Sequence, residues 1–153
     1  MFMRKFIVLF LLLAFCSQNT EEAVVSSQPP VSETTFTYIN SDIETAKEDF
    51  SDKQTIIVFW ADYWGVCRQE LPVLEKELAN LTDKYDVIAL AHSEFGPTLE
   101  WVSENLTGEL KIGFSTSELR DYYRVVGQPI TLILDTNGEV IYREFGAIDF
   151  SSF

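Results

Sequence analysis

The sequence has few of the side chains on which most active sites depend. Its 153 residues include two cysteines and one histidine, and no glycine-rich stretch has the spacing of a phosphate-binding loop. A metal site of the usual ligand number would need more histidine and cysteine side chains than these. We therefore expect no metal site and no cofactor.

Positive charge is also scarce. The chain has 11 basic against 24 acidic residues, which gives a formal net charge of −13 at pH 7. A surface of this sign repels the phosphates of nucleic acids and anionic lipid headgroups. We expect no nucleic-acid partner, and contact with a membrane only through an attached lipid.

The first residues have the pattern of an export signal. Arg4 and Lys5 precede an apolar run from Phe6 to Phe15, which is too short to cross a membrane as a helix. This predicts an extracytoplasmic, periplasmic protein. The predicted organisation is a signal peptide over 1–16, a flexible tether over 17–34 and one folded domain over 35–153.

Cys16 ends the apolar run in Leu13-Ala14-Phe15-Cys16, which resembles a bacterial lipobox. In a lipobox the cysteine becomes the lipidated first residue of the mature protein. Phe15 departs from that pattern, because a small residue is usual there. Cleavage after Cys16 by an ordinary signal peptidase is the alternative. We favour lipidation of Cys16, since the polar tether that follows suits a domain anchored to a membrane.

The rest of the sequence alternates between strand and helix patterns. The β-branched and aromatic run from Thr55 to Trp60 is typical of a strand buried on both faces. Asn137-Gly138 predicts a hairpin between the last two strands. The other predicted elements are strands over 35–39, 87–91, 110–114, 130–134 and 139–145, and helices over 43–50, over 65–82, after Gly96-Pro97 and after Ser115. This order predicts an α/β fold with a central mixed sheet flanked by helices and a C-terminal β-hairpin.

Two segments resemble the thioredoxin superfamily, specifically its TlpA-like membrane-tethered thiol-disulfide oxidoreductases. The stretch Phe59-Trp-Ala-Asp-Tyr-Trp-Gly-Val-Cys67-Arg-Gln-Glu-Leu-Pro72 is similar to the family's Phe-Trp-Ala-x-Trp-Cys-x-x-Cys-Arg followed by Glu-x-Pro. The stretch from Tyr123 to Asp135 is similar to Tyr-x-Val-x-Gly-x-Pro-x-Thr-x-x-x-Asp. The resemblance implies a thioredoxin-like fold in which a cis Pro129, preceded by Gln128, faces the cysteine motif. It also implies a terminal helix, which is expected to be missing after Asp149.

One position departs from the family pattern. Trp64 stands where the family has its attacking cysteine, and Cys67 stands at the position of the resolving cysteine. An indole cannot attack a disulfide, so self-contained dithiol activity is not expected. We expect Cys67 to act at most as a monothiol redox residue with a protein thiol or disulfide partner. The helix N-terminus and Arg68 are expected to favour the thiolate form of Cys67. The alternative is a buried, unreactive thiol.

Peroxidase chemistry is disfavoured. The resemblance to peroxiredoxins would require proline and threonine at the positions of Trp60 and Trp64. His92 is a conceivable general base for Cys67, but a solvated loop histidine is the favoured interpretation.

The second hypothesis is a non-catalytic module that binds polypeptide. Tyr63 and Trp64 fall in a loop at the carboxyl ends of the predicted strands, where α/β folds place their ligand sites. Exposed aromatics with a polar group suit a partner surface, which would be completed by Gln128 and Pro129. The alternative for the two aromatic residues is packing within their own loop.

Overall fold

The structure is a computed structural model that describes residues 35–37, 45–47 and 52–153. The predicted signal peptide, the lipidation of Cys16 and the tether over 17–34 lie outside the described residues. Within the described ranges, no helix combines the length and the apolar character that crossing a bilayer would require.

A short antiparallel pair precedes the main sheet. Strand β1 (Thr35–Thr37) pairs with β2 (Thr45–Lys47), with Phe36 opposite Ala46. The strand predicted over 35–39 is thus confirmed for its first three residues. The helix predicted over 43–50 is wrong at its centre, because residues 45–47 form β2. Backbone pairing with β1 overrides the local helical pattern there.

The main sheet has five strands in the order β5-β4-β3-β6-β7. The central strand β3 runs parallel to β4 and antiparallel to β6, and β6 also pairs with β7 in an antiparallel hairpin. The bounds are β3 Gln54–Trp60, β4 Tyr85–Ala91, β5 Lys111–Phe114, β6 Ile130–Leu134 and β7 Val140–Phe145. The predicted mixed sheet and its C-terminal hairpin are confirmed.

Three α-helices follow the strand ends. They are α1 (Gly65–Leu81), α2 (Phe95–Asn105) and α3 (Ser117–Tyr122). The Thr116 hydroxyl caps α3 by accepting a hydrogen bond from the Leu119 N–H at 3.2 Å, one residue later than the predicted start at Ser115. This helix ends at Tyr122, and Arg124 beyond it has a φ of 50°. Gly127 was predicted to end this helix, because glycine is common just after a helix, but the helix ends earlier, at Tyr122.

The core lies on both faces of the sheet. Because successive side chains of a strand point to opposite faces, β3 contributes to two apolar clusters. One contains Trp60 and Cys67, and the other contains Phe59 and Tyr123. The prediction of a strand buried on both faces is confirmed.

The segment after β7 closes over α1. The Ile148 N–H donates to the Glu70 Oε1 at 3.0 Å, and Phe150 is buried. Phe150–Ser152 forms one 3-10 turn, capped by the Asp149 side chain. In the described residues 146–153, this turn is the only helical element.

Candidate functional site

Two aromatic side chains stand at the start of α1. The Trp64 N–H donates to the Ala61 carbonyl at 3.1 Å, and the Trp64 carbonyl accepts from the Arg68 N–H at 3.1 Å. Trp64 is thus the residue immediately before the helix. Its side chain is 48% exposed, and that of Tyr63 is 61% exposed. Packing within their own loop therefore leaves a large part of both rings in contact with solvent.

The loop before β6 meets this aromatic pair. The Gln128 Nε2 donates to the Tyr63 Oη at 3.2 Å. The Gln128–Pro129 peptide bond is cis, as the resemblance implied. Pro129 itself is buried, so the exposed part of the predicted surface comes from Tyr63, Trp64 and Gln128. We call these three side chains the aromatic surface.

Cys67 lies inside the protein. Its side chain is fully buried among apolar core residues that include Trp60 and Leu71. Burial raises the pKa of the Cys67 thiol to about 11, the negative charge of Glu70 also raises it, and the backbone of Ala61 offsets only part of this increase. Because a thiol with that pKa is almost entirely protonated at neutral pH, the helix N-terminus does not make Cys67 an activated thiolate.

Arg68 does not help to ionise this thiol. Its guanidinium carbon lies 5.8 Å from the centre of the Trp101 ring, an arrangement typical of a cation–π contact. Arg68 is also not among the groups that shift the pKa of Cys67. The expected stabilisation of a thiolate by this arginine is therefore not seen.

Glu70 belongs to the Glu-x-Pro part of the family resemblance, but its effect on the Cys67 thiol was not predicted from the sequence. It lies one helical turn after the cysteine, is 3% exposed, and accepts the Ile148 N–H through Oε1. Its Oε2 has no hydrogen-bond partner in the described part of the chain. Burial raises the pKa of this carboxyl to about 7. Its position beside Leu71 and one helical turn before Leu74, on the buried face of α1, was the signal that could have revealed it.

His92 is exposed in the loop after β4. Partial burial and the nearby Arg120 lower the pKa of its imidazole, and His92 is not among the groups that affect the pKa of Cys67. This placement agrees with the favoured interpretation, a loop histidine in contact with solvent.

A polar network that the sequence did not reveal lies beside Tyr63. The hydroxyls of Ser93 and Thr98 are 2.8 Å apart, and Thr98 donates to the Asp62 Oδ1 at 3.2 Å. Asp62 and Ser93 border a cavity of about 510 Å³, whose lining residues are Asp62, Tyr63, His92, Ser93, Glu94 and Pro97. In residues 35–37, 45–47 and 52–153, no three histidine, cysteine or acidic side chains are grouped as a metal site.

Comparison with known proteins agrees with this architecture. No protein-family model matches the chain. The structure of dsbF from MTB, in mixed oxidized and reduced forms, superposes with a TM-score of 0.68 at 17% identity, over 82% of this chain and 93% of that one. The chain has a thioredoxin-like fold. The exposed lipoprotein thioredoxin Etrx1 of Streptococcus pneumoniae strain TIGR4 gives a TM-score of 0.66 at 18% identity, over 76% and 90% of the two chains.

Similarity at the level of sequence is more limited. The Thioredoxin-like protein YneN of Bacillus subtilis (strain 168) is 26% identical over 100 residues, which cover 63% of this chain and 59% of the relative. The match therefore spans less than two thirds of that relative. Together these comparisons show a thioredoxin-like fold and a limited sequence similarity to one thioredoxin-like protein.

Proposed function

We propose that this protein is an extracytoplasmic, TlpA-like member of the thioredoxin superfamily that binds polypeptide without redox catalysis, through the aromatic surface. The observation that carries the proposal is a contrast at the start of α1. Cys67 is fully buried, while Tyr63 and Trp64 are exposed by 61% and 48%. The thiol is withdrawn from solvent and the aromatic rings are presented to it.

The state of the thiol argues against exchange chemistry. Exchange begins with attack by an exposed thiolate, and it is fastest when the pKa of the attacking thiol is near the ambient pH. With a pKa of about 11, only about one Cys67 thiol in 10,000 is ionised at pH 7. A monothiol function for Cys67, the other hypothesis, requires the surrounding core to open.

The aromatic surface has the features of a binding site. Tyrosine and tryptophan give large contact areas for little loss of conformational entropy, and they often dominate binding energies. The hydrogen bond from Gln128 to Tyr63 restrains the Tyr63 ring before any ligand arrives. Such preorganisation lowers the entropic cost of association.

The proposed location rests on the N-terminal pattern and on one similar protein. Arg4, Lys5 and the apolar run to Phe15 predict export, and a structure with the same fold is described as an exposed lipoprotein thioredoxin. We also propose that Cys16 is lipidated and anchors the domain to the membrane. An anchored domain would meet polypeptides at the membrane surface.

Trp64→Ala is expected to weaken binding of an unfolded polypeptide about tenfold or more, because it removes the largest exposed ring of the aromatic surface. A suitable probe is reduced, carbamidomethylated α-lactalbumin, which stays unfolded and has no free thiol to form a disulfide with Cys67. Isothermal titration calorimetry would give the dissociation constants of the native protein and of the variant.

The matched control for this experiment is Val73→Ala. Val73 is also 48% exposed, but it lies further along α1. An equal loss of affinity for the polypeptide in the two variants, or no binding by the native protein, would contradict the proposal.

A further inference from the structure

A groove lies beside Ile130, the residue that follows Pro129. It has a volume of about 550 Å³ and is lined by Arg124, Val126, Ile130, Arg143, Glu144 and Phe145. Its apolar walls are open to solvent, since Val126 is 88% and Phe145 is 61% exposed. Exposed apolar side chains of this size, grouped around a groove, are typical of an interaction site.

The groove also gathers positive charge in an acidic protein. Two of the chain's 11 basic residues line it, against one of its 24 acidic residues. One Arg143 Nη donates to the Tyr123 carbonyl at 2.6 Å, which fixes the guanidinium and leaves its other N–H groups available. The Arg124 side chain is exposed, and it has no carboxylate partner among the described residues. Guanidinium groups placed in this way suit a carboxylate ligand.

The groove borders a strand edge that no other described strand covers. In the described part of the chain, β7 is the last strand of the sheet. The Gly146 N–H donates to the Pro129 carbonyl at 2.9 Å, and bonded and non-bonded pairs alternate along an antiparallel ladder. The backbone of Glu144 therefore faces β6, while the N–H and C=O groups of Arg143 and Phe145 point outward. An outward row of this kind can accept an extended peptide as an additional strand.

One wall of the groove depends on a glycine. A Cβ at Gly127 would lie 2.8 Å from the Phe145 ring, so the ring rests directly on the backbone of the loop. The same loop continues through Gln128 to the aromatic surface. A polypeptide that leaves the aromatic surface across this loop would next meet Phe145 and the arginines.

We propose that an extended polypeptide segment carrying carboxylates adds as a strand to the outer edge of β7. Its apolar side chains would pack on Val126 and Phe145, and a carboxylate would bind Arg124 and Arg143. This inference rests on the proposed binding of polypeptide, but it uses residues outside the aromatic surface. A second copy of this chain is a poorer occupant, because two chains of net charge −13 repel each other.

The test uses two labelled peptides that differ only in charge. The first is acetyl-Thr-Val-Asp-Phe-Asp-Val-Thr-amide with a fluorescein label, and in the second both aspartates are replaced by lysine. Fluorescence anisotropy should show at least about tenfold tighter binding of the acidic peptide. Amide NMR spectra should show shifts and slowed hydrogen exchange at Arg143 and Phe145. A dissociation constant weaker than the millimolar range, or equal affinity for both peptides, would overturn the proposal.

Two charge variants locate the effect. Arg124→Glu should weaken the acidic peptide about tenfold and strengthen the lysine peptide. Lys84→Glu makes the same charge change in the turn before β4, at the opposite end of the sheet, and should leave both affinities nearly unchanged. Equal effects of the two variants would mean that only the net charge matters, which would contradict a groove-specific contact.

The remaining outcomes distinguish this proposal from other occupants of the groove and from the proposed binding of polypeptide by the aromatic surface. Competition by sodium acetate at the peptide's own concentration would reassign the groove to small carboxylates. Self-association in sedimentation that Arg124→Glu abolishes would reassign it to a second copy. Acidic peptide binding that is unchanged in Trp64→Ala supports the β7 edge even if the aromatic surface fails its own test. Conversely, peptide shifts confined to Tyr63 and Trp64 would overturn only the β7 inference.

Discussion

Trp64→Cys is expected to give the protein an intramolecular disulfide and measurable disulfide reductase activity. Trp64 immediately precedes α1 and Cys67 lies in its first turn, which is the spacing of the family's cysteine pair according to the resemblance. A thiol at position 64 would be exposed, and the helix-terminal amides should lower its pKa. The loss of a half-exposed indole should cost little stability.

The expected activity is low, because the resolving step depends on Cys67. With a pKa of about 11, Cys67 ionises rarely and should resolve a mixed disulfide slowly. Insulin reduction with dithiothreitol would measure turnover, and peptide mass mapping under oxidising conditions would detect a disulfide between positions 64 and 67. Trp64→Ser is the matched control, since it removes the indole without adding a thiol. A folded Trp64→Cys protein that cannot form the disulfide would show that the loop has diverged from the family geometry.

The second large effect concerns pH and the carboxyl group of Glu70. The folded protein raises the pKa of this group from 4.5 to about 7. Between these values the folded state keeps a proton that the unfolded state has lost, so the free energy of unfolding decreases as pH rises through this window. The difference corresponds to about 3 kcal/mol. This contribution favours the folded state at pH 4 and is lost at pH 8.

Glu70→Gln should remove this dependence. Glutamine keeps an oxygen that can accept the Ile148 N–H, but it does not titrate. We expect the variant to match the native protein at pH 4.5 and to exceed its free energy of unfolding by about 2 to 3 kcal/mol at pH 8. Urea denaturation at the two pH values would measure this. Parallel pH profiles for the variant and the native protein would contradict it.

Glu75→Gln is the control with the opposite sign. The Glu75 carboxylate accepts the N–H groups of residues 107–110 at 2.8 to 3.2 Å. Burial alone would raise its pKa, but these hydrogen bonds outweigh burial and lower it. Ionised Glu75 therefore stabilises the fold above the unfolded pKa, and this contribution is lost as pH falls through the lower folded pKa. Glu75→Gln should destabilise the protein at pH 8, where Glu70→Gln stabilises it.

Much of the fold could be predicted because its local patterns and its long-range packing agree. The apolar run of β3 and the Asn137-Gly138 turn each define an element without reference to the rest of the chain. The helix predicted over 43–50 was wrong because pairing with β1 determines the structure of residues 45–47. The helical periodicity of a short segment does not reveal a strand elsewhere in the chain that pairs with it.

The site was harder to predict, since its chemistry depends on distant contacts. Cys67 continues the apolar stripe of Leu71, Leu74 and Leu78 on α1, a spacing that is typical of a buried helix face. The partner of Glu70 is 78 residues away in the sequence, so no local pattern identifies it. The groove beside β7 arises from the strand order and from a ring resting on Gly127, neither of which sequence spacing reveals.

The most direct test of the account is the rate at which native Cys67 reacts with iodoacetamide as a function of pH, followed by peptide mass mapping, which distinguishes Cys67 from Cys16. Because Cys67 is fully buried and its pKa is raised to about 11, we expect no inflection below pH 9. At pH 7.5 the native protein should react at least about 100-fold more slowly than the urea-unfolded chain. Rapid alkylation of the folded protein with an inflection below about pH 8 would contradict the account and would support a monothiol redox function for Cys67.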